Sequence, residues 1–134
     1  MMDELDIKIL ESLQRNGRIT VSRLAELLNK PRTTIMSRLA RLESSKIILG
    51  YKTVIDPVQM GYTIQAYVLL TVRRIPGAAK PSQVALAERI IYDSDNEKDL
   101  PWVEEAQVVT GQYDLVLKVW AKDLKQLSNF LIRY

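Results

Sequence analysis

The stretch KPRTTIMSRLARLESSKII, residues 30–48, decides how this chain is interpreted. It carries five basic residues and one acid, and its apolar residues Ile35, Leu39 and Leu42 recur at helical spacing. On a helical wheel of about 100° per residue these three side chains fall on one side and must face a core. The opposite side and its borders carry small residues and arginines: Thr33, Ser37, Ala40 and Ser44, with Arg32, Arg38 and Arg41 able to reach outward. A helix face of this kind can lie in the major groove of DNA.

The alternative for this face is an ordinary solvated helix surface. Such surfaces usually mix Glu with Lys in i,i+4 pairs, whereas this face has no acid before Glu43. The charge is also concentrated, because residues 15–46 hold eight basic residues and two acids, while residues 51–134 hold ten of each. This asymmetry favours a basic segment that contacts a polyanion.

Two more helices are predicted before this one. Their apolar stripes are Leu5, Ile9, Leu10 and Leu13 in the first, and Val21, Leu24, Ala25 and Leu28 in the second. Asn16-Gly17 is predicted to end the first helix in a left-handed conformation. Thr20 is predicted to cap the second helix, and Asn29 is predicted to end it in the left-handed conformation. Pro31 suits the first turn of the third helix, where an N–H is not needed. The short gap between the second and third helices is typical of a helix-turn-helix.

The remaining residues predict strands and helices in the order βαββα. Residues 47–57 are rich in β-branched side chains and indicate a hairpin, or a strand leading away from the third helix. Residues 62–73 alternate in hydrophobicity and predict a strand. A helix follows from Pro81, then strands at 103–110 and 113–120, and a last helix with a capping box of Asp123 and Gln126. The acidic tract DSDNEKD, residues 93–99, is interpreted as a solvated loop.

The predicted fold class is therefore α+β. We expect a winged helix-turn-helix over residues 1–50, a linker strand over 51–61, and a ferredoxin-like α/β sandwich over 62–134. A complete ferredoxin-like unit has one further strand beside the first. The apolar edge of residues 62–73 would otherwise be open, so either the chain continues beyond Tyr134 with the missing strand or a partner covers this edge, and we expect the first.

The composition disfavours several functional classes. The chain has no His and no Cys, so the usual catalytic triads, zinc sites and disulfides cannot be built. We predict no enzyme, with no catalytic residue, no metal site and no cofactor. The apolar run at residues 67–70 is too short for a membrane span, and the acidic start does not resemble a secretory signal. We predict a cytoplasmic protein with no membrane partner.

These motifs, in this order and spacing, resemble the Lrp/AsnC group of bacterial and archaeal transcription factors, the leucine-responsive and asparagine regulators. The first part of the resemblance rests on LDIKIL, LQRNGRIT, RLAELL, TTIMSRLARLE and KIILGYKTVIDPVQMGY. The second part rests on TGQYDLVLKV, residues 110–119, which is similar to the Gly-x-Tyr-Asp turn of the family's regulatory domain. One departure is Pro31, which stands where many members have a capping Ser.

The resemblance implies a sequence-specific DNA-binding regulator that dimerises through its sheet and in some members forms tetramers or octamers. It also implies an amino-acid effector held between regulatory domains. By position, Thr34 and Arg38 match the family's Thr-x-x-x-Arg in the recognition helix, and Gly111 and Asp114 match the effector turn. The alternative for Gly111 and Asp114 is ordinary hairpin-turn chemistry.

The expected partners are double-stranded DNA and a second copy of the chain, on an inverted-repeat site. The residues expected to contact DNA are Arg18, Arg32, Thr33, Thr34, Ser37, Arg38, Arg41 and Lys46. Two other functions stay open at this point. One is a non-specific architectural DNA-binding protein, and the other is a metabolite-sensing interaction module that does not bind DNA.

Overall fold

The computed structural model describes residues 2–134, so Met1, where the predicted first domain begins, lies outside the described residues. The chain forms two compact units, one ending at Val54 and the other beginning at Ile55. This division falls inside the predicted linker of residues 51–61. The first unit is helical, and the second combines helices with a sheet.

The first unit contains α1 (Glu4–Arg15), α2 (Val21–Leu28) and α3 (Arg32–Ser44). The predicted stripes converge on a core whose buried members are Ile9, Leu24, Ala25, Ile35 and Leu42. Burying each of the larger aliphatic side chains contributes about 1.5–3 kcal/mol, so this small cluster holds the three helices together. The helix-turn-helix predicted from the sequence is confirmed.

Capping explains where these helices begin and end. Asp3 and Asp6 form a capping box at the start of α1, which the sequence analysis did not identify. Thr20 accepts a hydrogen bond of 3.1 Å from the Arg23 N–H, and Asn29 takes the left-handed conformation with φ 54°. The left-handed stop predicted at Asn16-Gly17 is wrong. Asn16 is extended, and its side chain instead accepts a hydrogen bond from the Arg18 N–H.

No strand forms between α3 and residue 64, so neither a wing hairpin nor the predicted linker strand of residues 51–61 is present in the described residues. Residues 49–56 form neither a helix nor a strand, and Val58–Met60 form a 3-10 turn that ends at Gly61 with φ 92°. Pro57 has no N–H to donate to a ladder, and β-branched content alone does not make a strand without a neighbour to pair with.

The second unit contains β1 (Ile64–Leu70), α4 (Ser82–Asn96), β2 (Trp102–Val108), β3 (Leu115–Ala121) and α5 (Leu124–Arg133). This is the predicted βαββα order. The antiparallel sheet has the order β1-β3-β2, with Ile64 opposite Ala121 and Leu70 opposite Leu115. Within the described residues the other edge of β1 has no strand beside it. No helix in residues 2–134 is long and apolar enough to cross a membrane.

Both helices of the second unit pack on one face of the sheet. Ile90 of α4 and Phe130 of α5 join Val68, Leu117 and Val119 in the core. The opposite face of the sheet is not covered by a helix of this unit, and it carries Tyr67, Leu69, Val116, Lys118 and Trp120. Tyr67 and Leu69 are exposed, while the three β3 residues are half-buried.

The interpretation of residues 93–99 as a solvated loop is wrong for the first part of the tract. Residues 93–96 belong to α4, and Asp93 is buried. Its carboxylate accepts hydrogen bonds from Arg89 at 3.1 Å and from the Tyr134 hydroxyl, and it lies 3.6 Å from a guanidinium nitrogen of Arg133. These contacts, led by the Tyr134 hydrogen bond, lower the pKa of Asp93. An acid that looks solvated in the sequence therefore joins α4 to α5.

Candidate nucleic-acid interface

The outer face of α3 consists of Thr33, Ser37, Ala40 and Ser44, and all four residues are exposed. Thr34 is half-buried. Ile35 and Leu42, on the opposite side of the helix, have no exposed surface. The structure therefore turns the small residues outward, which leaves room for the edge of a base or the wall of a groove to approach the helix.

Met36 belongs to the same surface and was missed by the sequence analysis. Its side chain is 54% exposed, although Met usually prefers the interior. It follows Ile35 by one residue, which places it about 100° from the centre of the buried stripe and beside the small residues. The sequence contained this signal, because the helical wheel leaves Met36 outside the stripe formed by Ile35, Leu39 and Leu42.

Arg38 and Arg41 lie beside the outer face and are paired with acids of α1. Arg38 Nη1 donates to Asp3 Oδ2 and, at 3.3 Å, to Asp6 Oδ1. Arg41 Nη2 donates to Asp6 Oδ2. We refer to Asp3, Asp6, Arg38 and Arg41 as the α1–α3 ion cluster. Neither arginine projects freely into solvent in the way that the helical wheel suggested.

The electrostatics of the ion cluster follow from its hydrogen bonds. The hydrogen bond from Arg38, helped by the Asp6 backbone N–H, lowers the pKa of Asp3 to about 2. The hydrogen bonds to Asp3 and Asp6 raise the pKa of Arg38 in turn. Asp6 is fully buried, and its side chain accepts from both arginines and from the Asp3 N–H at 3.1 Å. The cluster contains two positive and two negative charges, so it has no net charge.

The other basic residues predicted to contact DNA have no acidic partner among residues 2–134. Arg18, Arg32 and Lys46 are exposed, and none of them forms an ion pair with another described residue. Lys30, which was not among the predicted contacts, is exposed and unpaired within the described chain as well. Arg32 begins α3, which has no side-chain cap because Pro31 occupies the N-cap position. Free positive charge therefore lies at the N-terminal end of α3.

The predicted effector turn lies between β2 and β3. Gly111 has φ 107°, which favours glycine, and a side chain added there would meet no atom within 4 Å. Asp114 Oδ2 accepts a 2.7 Å hydrogen bond from the Val72 N–H, and the Asp114 N–H donates to the Leu70 carbonyl at 2.8 Å. Asp114 thus connects the turn to the end of β1 through two hydrogen bonds, and this role does not depend on an effector. The described residues contain no group of acids that could hold a metal ion.

Comparison with known proteins decides the family. A family model described as the AsnC-type helix-turn-helix domain matches residues 2–43, and one described as the Lrp/AsnC ligand binding domain matches residues 85–134. The HTH-type transcriptional regulator FL11 of Pyrococcus furiosus is 32% identical over 131 residues, which cover 98% of this chain and 78% of that protein. The chain belongs to the Lrp/AsnC family.

Bacterial members of the Lrp/AsnC family are similar to the chain over the same length. The leucine-responsive regulatory protein of Rhizobium meliloti is 30% identical over 131 residues, covering 98% of this chain and 78% of that protein. The crystal structure of the leucine response regulatory protein of Mycobacterium tuberculosis superposes with a TM-score of 0.74 at 26% identity, covering 98% of this chain and 82% of that one. The resemblance, the α+β fold class and the assignment as a helix-turn-helix transcriptional regulator are confirmed.

Proposed function

We propose that this regulator binds promoter DNA as a dimer, with α3 of each protomer in a major groove. The observation that carries the proposal is the exposed face of small residues on α3, with the unpaired Arg32 beside it. A major groove is wide enough for an α-helix, and small polar residues allow close approach to base edges.

Two kinds of contact are expected. Arg18, Arg32 and Lys46 attract phosphates, because they are exposed and have no acidic partner within residues 2–134. Thr33, Ser37, Ala40 and Met36 face the bases, and Thr34 lies at the edge of the same surface. Ala40 and Met36 provide apolar contacts suited to the methyl group of thymine. Arg38 and Arg41 are the predicted contacts whose guanidinium groups already have acceptors in α1.

Dimerisation is supported by the uncovered face of the sheet. Exposed Tyr67 and Leu69 lie opposite half-buried Lys118 and Val116 in the β1–β3 register, and Trp120 continues the row. A sheet face that exposes Tyr67 and Leu69 and carries the ion pair of Lys118 with Glu104 is suited to a self-complementary contact around a two-fold axis. Such a dimer requires an inverted-repeat site, with half-sites about 34–36 Å apart or a multiple of that distance. Tetramers and octamers would be built from the same dimer.

An amino-acid effector is the second part of the proposal. The ligand binding domain model matches residues 85–134, which include Gly111 and Asp114. One relative is named for its response to leucine. In the turn, Asp114 Oδ1 accepts no hydrogen bond from the described residues, so it is free to accept one from the amino group of an effector. The effector changes DNA binding only if it binds one arrangement of the dimer more tightly than another.

The experiment is selection of bound duplexes from a random pool, followed by affinity measurements on the recovered sequence and on a scrambled duplex. A recovered inverted repeat, bound much more tightly than the scrambled duplex, supports the proposal. Equal affinity for both duplexes would identify a non-specific architectural protein, and no binding to either would leave an interaction module. A regulator of this kind works where the chromosome lies, which is the cytoplasm in bacterial and archaeal cells.

A further inference from the structure

Asp6 is an unusual residue for the core of a small helical unit. Its side chain is entirely buried, whereas Asp is rarely found inside a protein unless its charge is paired. The hydrophobic core of this unit is small, and its larger members are Ile9, Leu24, Ile35 and Leu42. A buried carboxylate costs free energy that a hydrophobic residue of similar size would not cost. The geometry of its partners indicates what the charge is for.

The hydrogen-bond donors to the Asp6 carboxylate lie on α3 and at the start of α1. Arg38 and Arg41, one helical turn apart on α3, donate to its two oxygens. The Asp3 N–H donates from the start of α1, and Asp3 also accepts from Arg38. The ion cluster therefore joins one turn of α1 to one turn of α3 at two positions along each helix. Hydrogen bonds between charged groups are short and directional, so these contacts define an orientation as well as a distance.

The apolar contacts of α3 do not define its rotation equally well. The apolar residues of α3 at the core, Ile35, Leu39 and Leu42, span about 60° of the helix surface. Hydrophobic burial is not directional, so these contacts set the rotation of α3 less finely than the hydrogen bonds of the ion cluster do. A roll by a fraction of the roughly 100° between successive residues would keep these side chains in the core but move both guanidinium groups away from the Asp6 oxygens. It would also turn the small outer residues away from the DNA surface.

We propose that Asp6 is a positioning residue for DNA recognition, which fixes the rotation of α3 by holding Arg38 and Arg41. The inference rests on the proposed function, because it concerns how the outer face of α3 is presented to a duplex. In this role the two guanidinium groups stay on Asp3 and Asp6 when DNA binds. Arg38 then affects which DNA sequence is preferred by fixing the rotation of α3. The salt dependence of binding comes from residues with no acidic partner in the described chain, such as Arg32.

The two roles for Arg38 predict opposite results. A phosphate contact removed by Arg38→Ala makes the slope of log K against log salt shallower by about 0.9, with little change in sequence discrimination. If Arg38 is instead a positioning residue, Arg38→Ala leaves the slope of log K against log salt at its wild-type value. It lowers the ratio of affinities for the selected and the scrambled duplex, by about tenfold if one base contact is lost. Asp6→Asn is expected to give the positioning result too, although it removes no positive charge.

Matched variants separate orientation from charge and from folding. Glu11→Gln changes the net charge on α1 by the same amount as Asp6→Asn, at an exposed position without an ion pair in the described chain, and should leave discrimination unchanged. Asp3→Asn preserves the helix cap, because Asn and Asp cap helices about equally well. It therefore keeps the fold if Asp6→Asn does not, and it should lower discrimination without making the salt slope shallower. Arg32→Ala is the control for a true phosphate contact.

The experiment measures fluorescence anisotropy of both duplexes over a series of potassium chloride concentrations, well below the unfolding midpoint of each variant. The inference is supported if Asp6→Asn, Asp3→Asn and Arg38→Ala lower discrimination while the salt slope keeps its wild-type value. It is overturned if the wild type prefers the selected duplex and these variants prefer it equally strongly. It is also overturned if Arg38→Ala makes the salt slope shallower without lowering the preference for the selected duplex. A wild-type chain that binds no duplex overturns the proposed function, and this inference with it.

Discussion

Arg38, on α3, donates a hydrogen bond to Asp3, the N-cap residue of α1, which lies 35 residues earlier in the chain. The same acid caps its own helix by accepting from the Asp6 N–H at 3.0 Å. Asp3 therefore both starts α1 and contacts α3. Because the hydrogen bond from Arg38 is the largest influence on its carboxyl group, the pKa of Asp3 falls to about 2 from an ordinary value of 3.8.

This lowered pKa predicts a loss of stability in acid. Below about pH 4 the unfolded state binds a proton at Asp3 more readily than the folded state does. The stabilisation from Asp3 is thus complete above about pH 4 and is lost as the pH falls towards 2. Urea unfolding between pH 2 and 6 should show a smaller decline for Asp3→Asn than for the wild type. Parallel declines for the two proteins would contradict this assignment.

Arg32 is expected to contribute to DNA affinity through its charge. Arg32→Ala should weaken binding to every duplex and make the slope of log K against log salt shallower by about 0.9, the value for one phosphate contact. Lys98→Ala is the matched control, since it removes one exposed positive charge of the second unit that forms no ion pair with another described residue. The measurement is anisotropy over a salt series. Equal slopes for Arg32→Ala and Lys98→Ala would show that Arg32 does not contact the backbone.

Met36 is expected to contact the methyl group of a thymine. Replacing that thymine by uracil in the selected duplex removes only the methyl group, and should cost the wild type about 0.8 kcal/mol, as for a buried methylene. The same replacement should not weaken binding by Met36→Ala, which has already lost the contact. The two changes therefore form a double-mutant cycle with a non-zero coupling energy. Met60→Ala, which removes an exposed methionine from the second unit, is the control. If the losses of binding free energy from Met36→Ala and from uracil add at each thymine tested, Met36 contacts no thymine methyl group.

Asp114 is expected to stabilise the second unit even without an effector. Asp114→Ala leaves the Val72 N–H without its acceptor and should lower the free energy of unfolding by about 1.5–3 kcal/mol, as for a hydrogen bond to a charged group. Asp114→Asn retains an acceptor oxygen and should cost less. Urea unfolding measures the free energy of unfolding of both variants. Calorimetry tests whether any of the twenty amino acids binds to the wild type and to each variant. Unchanged stability in Asp114→Ala would mean that the bond to Val72 contributes nothing.

Features set by neighbouring residues could be predicted from the sequence. Thr20 and Asn29 cap α2 as expected, because a cap depends on a few adjacent residues. Asp123 likewise caps α5, with its side chain 2.8 Å from the Gln126 N–H. The Gln126 side chain departs from the predicted capping box, since it accepts from the Lys122 N–H instead of from Asp123. Local sequence signals thus located the helices well and fixed their hydrogen bonds less completely.

Features that depend on distant residues could not be predicted in the same way. Asp93 lies in an acidic tract, but its partner Tyr134 is 41 residues away, and only the packing of α5 brings them together. Arg38 and Arg41 appeared free on a helical wheel, because the wheel contains no information about the acids of α1. Charge patterns in a sequence therefore indicate which face is basic, while the fold determines which of those charges are already paired.

The central claim is that the outer face of α3 reads base edges in a major groove. Methylation interference on the selected duplex tests this most directly, because dimethyl sulfate modifies guanine N7 in the major groove and adenine N3 in the minor groove. We expect methylation at N7 to block binding in two clusters about one helical turn apart, and methylation at adenine N3 between them to have little effect. Binding that tolerates N7 methylation throughout the site would contradict the account.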